Sequence, residues 1–228
     1  MKRFVALCLL SLTCSYSFSQ KKQDYSIAYK NDVTIDGKHL EWNDLANVDD
    51  AGKWYYKVAH DKTNLYVAIR IQDSMMQNAV ATEGIMVKFP AESKKTKDRI
   101  FVYPYLDKEV KRALRQAAIE DPIAIVKSSN IDLIHRSRGF VVLGFPTIIE
   151  GLLSLQNNYG LKAMIGTDDD AMYYEAVIPK DLLAIRDDVV ALELQINDFA
   201  AMSVGKKRKD KHLKTTTVLR LQGRLIQE

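Results

Sequence analysis

The stretch from Lys53 to Gln72 constrains the fold of this chain more than any other. Residues 53–60 combine aromatic and β-branched side chains, and residues 65–72 place a large aliphatic side chain at every second position. A period of two is typical of a half-buried β-strand, because successive side chains of a strand point to opposite faces. The polar residues 61–64 between the two runs predict a turn. The stretch therefore predicts a β-hairpin within an antiparallel β-protein.

Further short runs of strand-forming residues lie before and after this hairpin. They occupy residues 33–35, 85–89, 99–105, 161–167, 172–178, 189–197 and 215–221. Residues 107–119 break the pattern, since their apolar side chains recur at helical spacing and Asp107 is suited to cap an amphipathic helix. We predict an all-β fold, a two-sheet antiparallel β-sandwich formed by residues 20–228 as one domain, with a helical and irregular insertion at residues 107–158.

Residues 1–19 have the features of a secretory signal peptide. Two basic residues precede an apolar run at residues 4–12, which is too short to span a bilayer, and small residues follow it. Cleavage is expected between Ser19 and Gln20, which predicts an exported protein of the periplasm, the cell surface or the medium. A lipid anchor at Cys14 is an alternative, although the residues before it form a poor lipobox. We find no second apolar run of membrane-spanning length, so no transmembrane segment is predicted.

Composition narrows the chemistry that a cleaved chain can use. Both cysteines, Cys8 and Cys14, precede the expected cleavage site, so the mature chain would have no thiol for a disulfide, a metal or catalysis. The full chain has 33 basic and 29 acidic residues, and removal of Lys2 and Arg3 leaves 31 against 29, a net charge of +2. A nearly balanced charge gives no reason to expect a nucleic acid as partner.

Three motifs in order resemble the family 9 carbohydrate-binding-module-like domains. They are I-D-G followed by E-W at residues 35–42, the hairpin segment H-D-K-T-N-L-Y-V-A at residues 60–68, and Y-E-A-V-I-P with L-L at residues 174–183. The resemblance implies a β-sandwich related to the DOMON group and an exported module that binds sugar in some members and haem in others. Sugar-binding members hold a chain-end sugar between two tryptophans. Both tryptophans of this chain, Trp42 and Trp54, lie in the early motifs.

Candidate ligand-binding residues follow from the affinity of sugar faces for aromatic rings. Tyr103 and Tyr105 have the spacing of one strand face and could form a platform, and Trp54 is a further aromatic candidate. Asp73 is expected at the end of a strand beside an irregular loop, where its carboxylate could accept sugar hydroxyls or hold Ca²⁺ with other oxygen ligands. We therefore favour a secreted, non-catalytic carbohydrate-binding module of the bacterial cell envelope.

Two other functions remain open at this point. Met75 and Met76 favour a haem-binding electron-transfer module, because a thioether is a competent axial ligand of haem iron. Alternatively, an envelope scaffold protein could bind a protein partner through residues 107–158. No metal site is predicted, because no pair of histidines has a ligand spacing. No enzyme is predicted either, because the sequence has no G-x-S-x-G, P-loop or nucleophile–base pattern.

Overall fold

The computed structural model describes residues 23–47, 53–120, 130–168, 170–196 and 218–226. The predicted signal peptide, with Cys14, lies outside these ranges. The strands are β1 (Gln23–Tyr29), β2 (Ala46–Asn47), β3 (Trp54–His60), β4 (Asn64–Ile71), β5 (Ile85–Phe89), β6 (Arg99–Tyr103), β7 (Gly139–Leu143), β8 (Gly151–Ser154), β9 (Lys162–Thr167), β10 (Met172–Pro179), β11 (Val189–Ile196) and β12 (Val218–Leu225). The helices are α1 (Ser74–Glu83), α2 (Lys108–Glu120), α3 (Asn130–His135) and a 3-10 helix at Lys180–Leu182.

The strands form one curled sheet whose two halves enclose the core. Their order is β8-β7-β6-β5-β11-β12-β1-β3-β4-β10-β9, and β2 pairs with β3 outside this path. The predicted hairpin is confirmed as β3 and β4, which pair in antiparallel register from Trp54–Ile71 to His60–Leu65. The all-β, sandwich-like fold class is thus confirmed, with a small share of helix.

Strand β1 joins the two halves and makes the sheet mixed. Its residues from Gln23 to Ile27 pair with β12, and Ala28 and Tyr29 pair with β3. Both pairings are parallel, so the prediction of a purely antiparallel sandwich is corrected at this strand. The sequence did not predict β1, because residues 23–29 are largely polar and only Ile27 among the described side chains of the strand is buried.

The main core fills the space between the two halves of the sheet. Its largest fully buried side chains include Trp54, Tyr56, Tyr174, Phe101 and Phe140. A second, smaller cluster lies on the outer face of β3, β4 and β10. It contains Trp42, Ala59, Tyr66, Ala68 and Val177, with Val33, Ile35 and Leu45 packed against it. Residues 33–45, which run without regular strand or helix ahead of β2, therefore cover part of the outer face.

Helix α2 was predicted from the sequence, whereas helix α1 was not. Helix α2 begins after Asp107, whose carboxylate accepts hydrogen bonds from the backbone N–H groups of Glu109 and Val110, as predicted for an N-cap. Helix α1 was not predicted, and it replaces the irregular loop expected after Asp73. No described helix combines the length and apolar character that a bilayer-crossing helix needs.

Residues 107–158 contribute both helices and strands. Residues 131–134 belong to α3, and β7 follows it at Gly139–Leu143. Strands β7 and β8 extend the sheet beyond β6 through antiparallel pairing. Residues 121–129 lie outside the described ranges. The insertion of this region into an older β-core stays a prediction.

Candidate functional site

Tyr103 and Tyr105 do not form the predicted platform. Strand β6 ends at Tyr103, whose side chain is 5% exposed and packs edge-on against Phe140, with ring centroids 5.4 Å apart. Tyr105 follows Pro104 beyond the strand, and its backbone N–H donates to Ser137 Oγ. The chain turns out of the sheet between the two tyrosines, so their spacing does not place them on one strand face.

The other predicted site residues serve the fold. Trp54 is completely buried in the main core. Asp73 is the N-cap of α1, and its Oδ1 accepts a hydrogen bond of 2.9 Å from the backbone N–H of Met76. Met75 is 63% exposed whereas Met76 is 3% exposed, so the two thioethers face different surroundings. Within the described ranges, no three His, Cys, Asp or Glu side chains converge as metal ligands.

Glu175 holds residues 33–45 against the sheet. Its carboxylate is 1% exposed and accepts hydrogen bonds from Trp42 Nε1 at 2.7 Å and from the backbone N–H groups of Gly37 at 2.8 Å and Asp36 at 3.0 Å. Burial raises the pKa of Glu175, while these three donors act in the opposite direction. One buried carboxylate thus satisfies three donors of a segment that has little regular structure.

A close contact between two glycines completes this attachment. Gly37 has a φ of +77°, and its carbonyl oxygen lies where a Cβ on Gly166 would come within 2.2 Å of it. Gly166 belongs to β9, so the backbone of residues 33–45 reaches the edge of the sheet only because this position lacks a side chain. The contact places His39, two residues beyond Gly37, over the neighbouring strand.

An aromatic and cationic row occupies the outer face beside residues 33–45. Tyr55 and Tyr173 are the cross-strand neighbours of Arg70 on either side. The Arg70 guanidinium carbon lies 5.8 Å from the Tyr55 ring centroid and 6.0 Å from that of Tyr173. The exposed His39 ring stacks on Tyr173 at 4.1 Å with an interplanar angle of 11°. We call Tyr55, Arg70, Tyr173 and His39 the outer-face row.

Asp168 adds an anionic acceptor to the end of this row. A hydrogen bond from the Tyr173 hydroxyl lowers the pKa of Asp168 below its ordinary value, and the nearby His39 acts in the same direction. Burial is the main cause that raises the pKa of Tyr173, and the hydrogen bond to Asp168 raises it further. Tyr173 is only 6% exposed and the His39 ring stacks on it, so the ring faces that a ligand can reach are those of Tyr55 and His39. At neutral pH these faces, the Arg70 guanidinium and the Asp168 carboxylate can stack on a ligand and exchange hydrogen bonds with its hydroxyl groups.

Sequence reasoning missed the outer-face row for a structural reason. Tyr55 and Arg70 both lie in the predicted hairpin, but Tyr173 and His39 come from β10 and from residues 33–45, which are distant in sequence. The alternation of β3 and β4 does place Tyr55 and Arg70 on the face opposite Trp54. That signal could have identified the face, although it could not identify which part of the face stays open.

The turn between β3 and β4 forms a tight polar network around Asp61. Its carboxylate accepts hydrogen bonds from the backbone N–H groups of Thr63 at 2.7 Å and Asn64 at 2.6 Å, and from the Tyr66 hydroxyl at 2.6 Å. Burial alone would raise the pKa of Asp61, but the hydrogen bonds from Tyr66, Asn64 and Thr63 outweigh it and lower the pKa to about 2.

This network predicts a specific acid sensitivity. A depressed folded-state pKa adds stability above the ordinary value of 3.8, and that stability is lost as the pH falls towards 2. Because solvent screens the exposed side of the turn, we expect a contribution of about 1 kcal/mol. Urea unfolding at pH 6 and pH 2.5 should show a smaller pH-dependent loss for Asp61→Asn than for the parent. Equal losses in both proteins would contradict the assignment.

No protein-family model and no curated protein matches this sequence. Among solved structures, the chain is similar to a family 9 carbohydrate-binding module from Caldicellulosiruptor kristjanssonii. The match to its glucose complex has a TM-score of 0.43 and 12% identity, and covers 90% of this chain and 97% of that one. The match to its cellotriose complex has a TM-score of 0.44 and 12% identity, and covers 90% and 95%. The roles of residues in this chain therefore rest on its own geometry.

Proposed function

We propose that this protein is a non-catalytic carbohydrate-binding module of the bacterial cell envelope and that the outer-face row binds the glycan. The observation that carries the proposal is the row itself, in which Tyr55, Arg70 and Tyr173 follow one another across three strands and His39 stacks at the end. Aromatic rings offer faces to the apolar side of a pyranose, and the guanidinium offers donors to its hydroxyl groups.

The shape of the surface suits an extended glycan. Successive strands lie about 4.8 Å apart, so the three positions across β3, β4 and β10 extend over roughly 10 Å, about the length of a disaccharide unit. Rings held in a β-sheet lose little conformational freedom on binding, which favours affinity. Residues 33–45 bound the row on one side and supply His39, so the glycan would lie along their edge.

Export of the protein forms part of this proposal and depends on residues 1–19. Their basic start, short apolar run and small residues before Gln20 are the features of a cleaved signal peptide. N-terminal sequencing of protein recovered from the periplasm or medium should begin at Gln20. Detection of lipid at Cys14, or of an intact N-terminus, would contradict cleavage before Gln20.

Tyr55→Ala is expected to weaken glycan binding about tenfold, which corresponds to about 1.4 kcal/mol. The loss follows from removal of the half-buried ring that flanks Arg70. Affinity electrophoresis in gels that contain xylan, hydroxyethylcellulose, laminarin or polygalacturonate would identify the retarding polysaccharide. Titration of its oligosaccharides would then provide dissociation constants for the parent and the variant.

Tyr159→Ala is the matched control for this experiment. Tyr159 is a partly exposed tyrosine next to Gly160, where an added Cβ would lie 3.0 Å from Pro179, at the end of β10 opposite Tyr173. Its replacement should leave the dissociation constant unchanged. The proposed site is wrong if both tyrosine variants bind like the parent, and the proposed function is wrong if none of a broad range of polysaccharides retards the folded protein.

A further inference from the structure

A cavity lies at the end of β3 that is remote from Tyr55, on the side of the sheet opposite the outer-face row. It has a volume of about 620 Å³ and is formed where β1, β3 and β12 end beside the 3-10 helix. Its lining includes Tyr29, His60, Lys62, Lys180, Asp188 and Leu225. His60 is five positions from Tyr55, about 16 Å along the strand, and its side chain points to the opposite face. The cavity is therefore separate from the outer-face row.

Lys180 is held at the wall of this cavity by a histidine ring and a backbone carbonyl. Its Nζ lies 2.9 Å from His60 Nδ1 and also donates to the backbone carbonyl of Asp61. His60 is buried, and its Nε2 lies 3.1 Å from the carbonyl oxygen of Ile226. Donation from Lys180 to Nδ1 requires Nε2 to carry the proton of a neutral imidazole. The His60 ring and the Asp61 carbonyl, whose oxygen lies 3.0 Å from His60 Nδ1, thus orient the ammonium.

The positive charge of Lys180 has no carboxylate in direct contact among the described residues. The Asp61 carboxylate is occupied by its own turn, and both Asp61 and Asp188 act on Lys180 only at longer range. Burial, the largest influence, lowers the pKa of Lys180. A partly desolvated cation is stabilised by a paired anion. An ammonium has three N–H groups, and its contacts with His60 Nδ1 and the Asp61 carbonyl leave one for a ligand.

The remainder of the wall is apolar. Leu183, Ile185 and Leu225 line the cavity, and the Tyr29 ring meets His60 edge-on with centroids 5.4 Å apart. Asp188 lies exposed at the cavity with a φ of +59°, and Lys62 is exposed nearby. An aliphatic wall next to one oriented ammonium matches a molecule with an acidic head and a hydrocarbon body.

We propose that this cavity binds a small organic carboxylate with a short apolar body, whose carboxylate accepts a hydrogen bond from Lys180. The hydrocarbon part lies against Leu183, Ile185 and Leu225. The exposed Asp188 repels an anion at the cavity and limits its affinity. This site is independent of glycan binding at the outer-face row, so either can fail without the other.

Hexanoate is the probe that tests this site, with hexanamide as its neutral counterpart and hexylamine as its cationic one. Titrations of the ¹⁵N-labelled protein, followed by amide chemical shifts, should show that hexanoate binds about tenfold more tightly than hexanamide, because a charge-assisted hydrogen bond is stronger than a neutral one. The shifts should occur around His60, Lys180 and Leu225. Hexylamine should bind more weakly than hexanoate.

Lys180→Met should remove the preference for hexanoate over hexanamide, since it keeps an apolar stem of similar length without the charge. Lys94→Met, on the exposed loop between β5 and β6, should retain the full preference. Asp188→Asn should tighten hexanoate binding about twofold. Asparagine tolerates a positive φ, so Asp188→Asn should fold and should show the effect of the Asp188 charge on hexanoate binding even if Lys180→Met does not fold.

Equal binding of hexanoate and hexanamide to the parent, or no tightening in Asp188→Asn, would overturn the proposal.

Discussion

Glu175→Ala is expected to lower the free energy of unfolding by about 3–5 kcal/mol, the largest effect among the variants considered. The substitution leaves two buried donors, on Trp42 and Gly37, and one partly buried donor, on Asp36, without the carboxylate that they share. Each buried donor left without a partner costs about 1–3 kcal/mol, and partial relaxation of residues 33–45 keeps the total below the sum. Equilibrium urea unfolding followed by tryptophan fluorescence would measure the loss.

Two further variants define what Glu175 contributes. Glu175→Gln keeps the shape and one acceptor oxygen, so a loss smaller than that of Glu175→Ala is expected. Glu150→Ala removes an exposed carboxylate that pairs with Lys97 at 2.8 Å and accepts a hydrogen bond of 3.3 Å from the Gly144 N–H group, and it should destabilise the protein much less than Glu175→Ala. If Glu175→Ala were no more destabilising than Glu150→Ala, residues 33–45 would not depend on the Glu175 carboxylate.

Gly166→Val is expected to lower the free energy of unfolding by about 2–4 kcal/mol and to weaken glycan binding as well. A Cβ at this position would come within 2.2 Å of the Gly37 carbonyl oxygen, a backbone atom that can move only with its whole segment. Displacement of Gly37 moves His39 off Tyr173 and alters the end of the outer-face row. Thermal unfolding and oligosaccharide titration of one sample would measure both effects.

Lys162→Val provides the control on the same strand. Lys162 is exposed and, four residues before Gly166, has the same strand parity, so the change adds a β-branched side chain without the contact to Gly37. It should leave stability within about 0.5 kcal/mol of the parent. A Gly166→Val protein with the stability and glycan affinity of the Lys162→Val protein would show that the glycine contact does not position residues 33–45.

The double variant Glu175→Ala/Gly166→Val tests whether both residues act on one segment. Both single changes release residues 33–45, so the combined loss should be smaller than the sum of the two losses. A difference of at least 0.5 kcal/mol is typical of coupled neighbours. Additive losses would instead mean that the carboxylate and the glycine contact stabilise different parts of the outer face.

Much of the strand pattern could be predicted because it is local. The period-two alternation of residues 65–72 predicts β4, and the run at residues 85–89 coincides with β5. Asp107 predicts its helix start through a capping interaction that involves only its neighbours. Strand β1 was missed, because its polar residues pair with β12 and β3 and depend on partners distant in the chain.

The candidate sites show where local information ends. A list of aromatic residues cannot distinguish Tyr103, which packs in the core, from Tyr55, which lies on the open part of the outer face. That difference depends on the end of β6 and on the extent to which residues 33–45 cover the sheet. Likewise, Lys180 and His60 meet only because β3 and β10 pair with the same end of β4, His60 opposite Leu65 and Pro179 opposite Asn64.

The hairpin, the helix start at Asp107 and the alternation that separates Tyr55 from Trp54 follow from residue order alone, because each depends on interactions within a few positions. The parallel pairing of β1, the hold of Glu175 on residues 33–45 and the access to both candidate sites depend on tertiary structure. The physical reason is that a side chain's face is set by its own strand, whereas its exposure is set by what packs on that face.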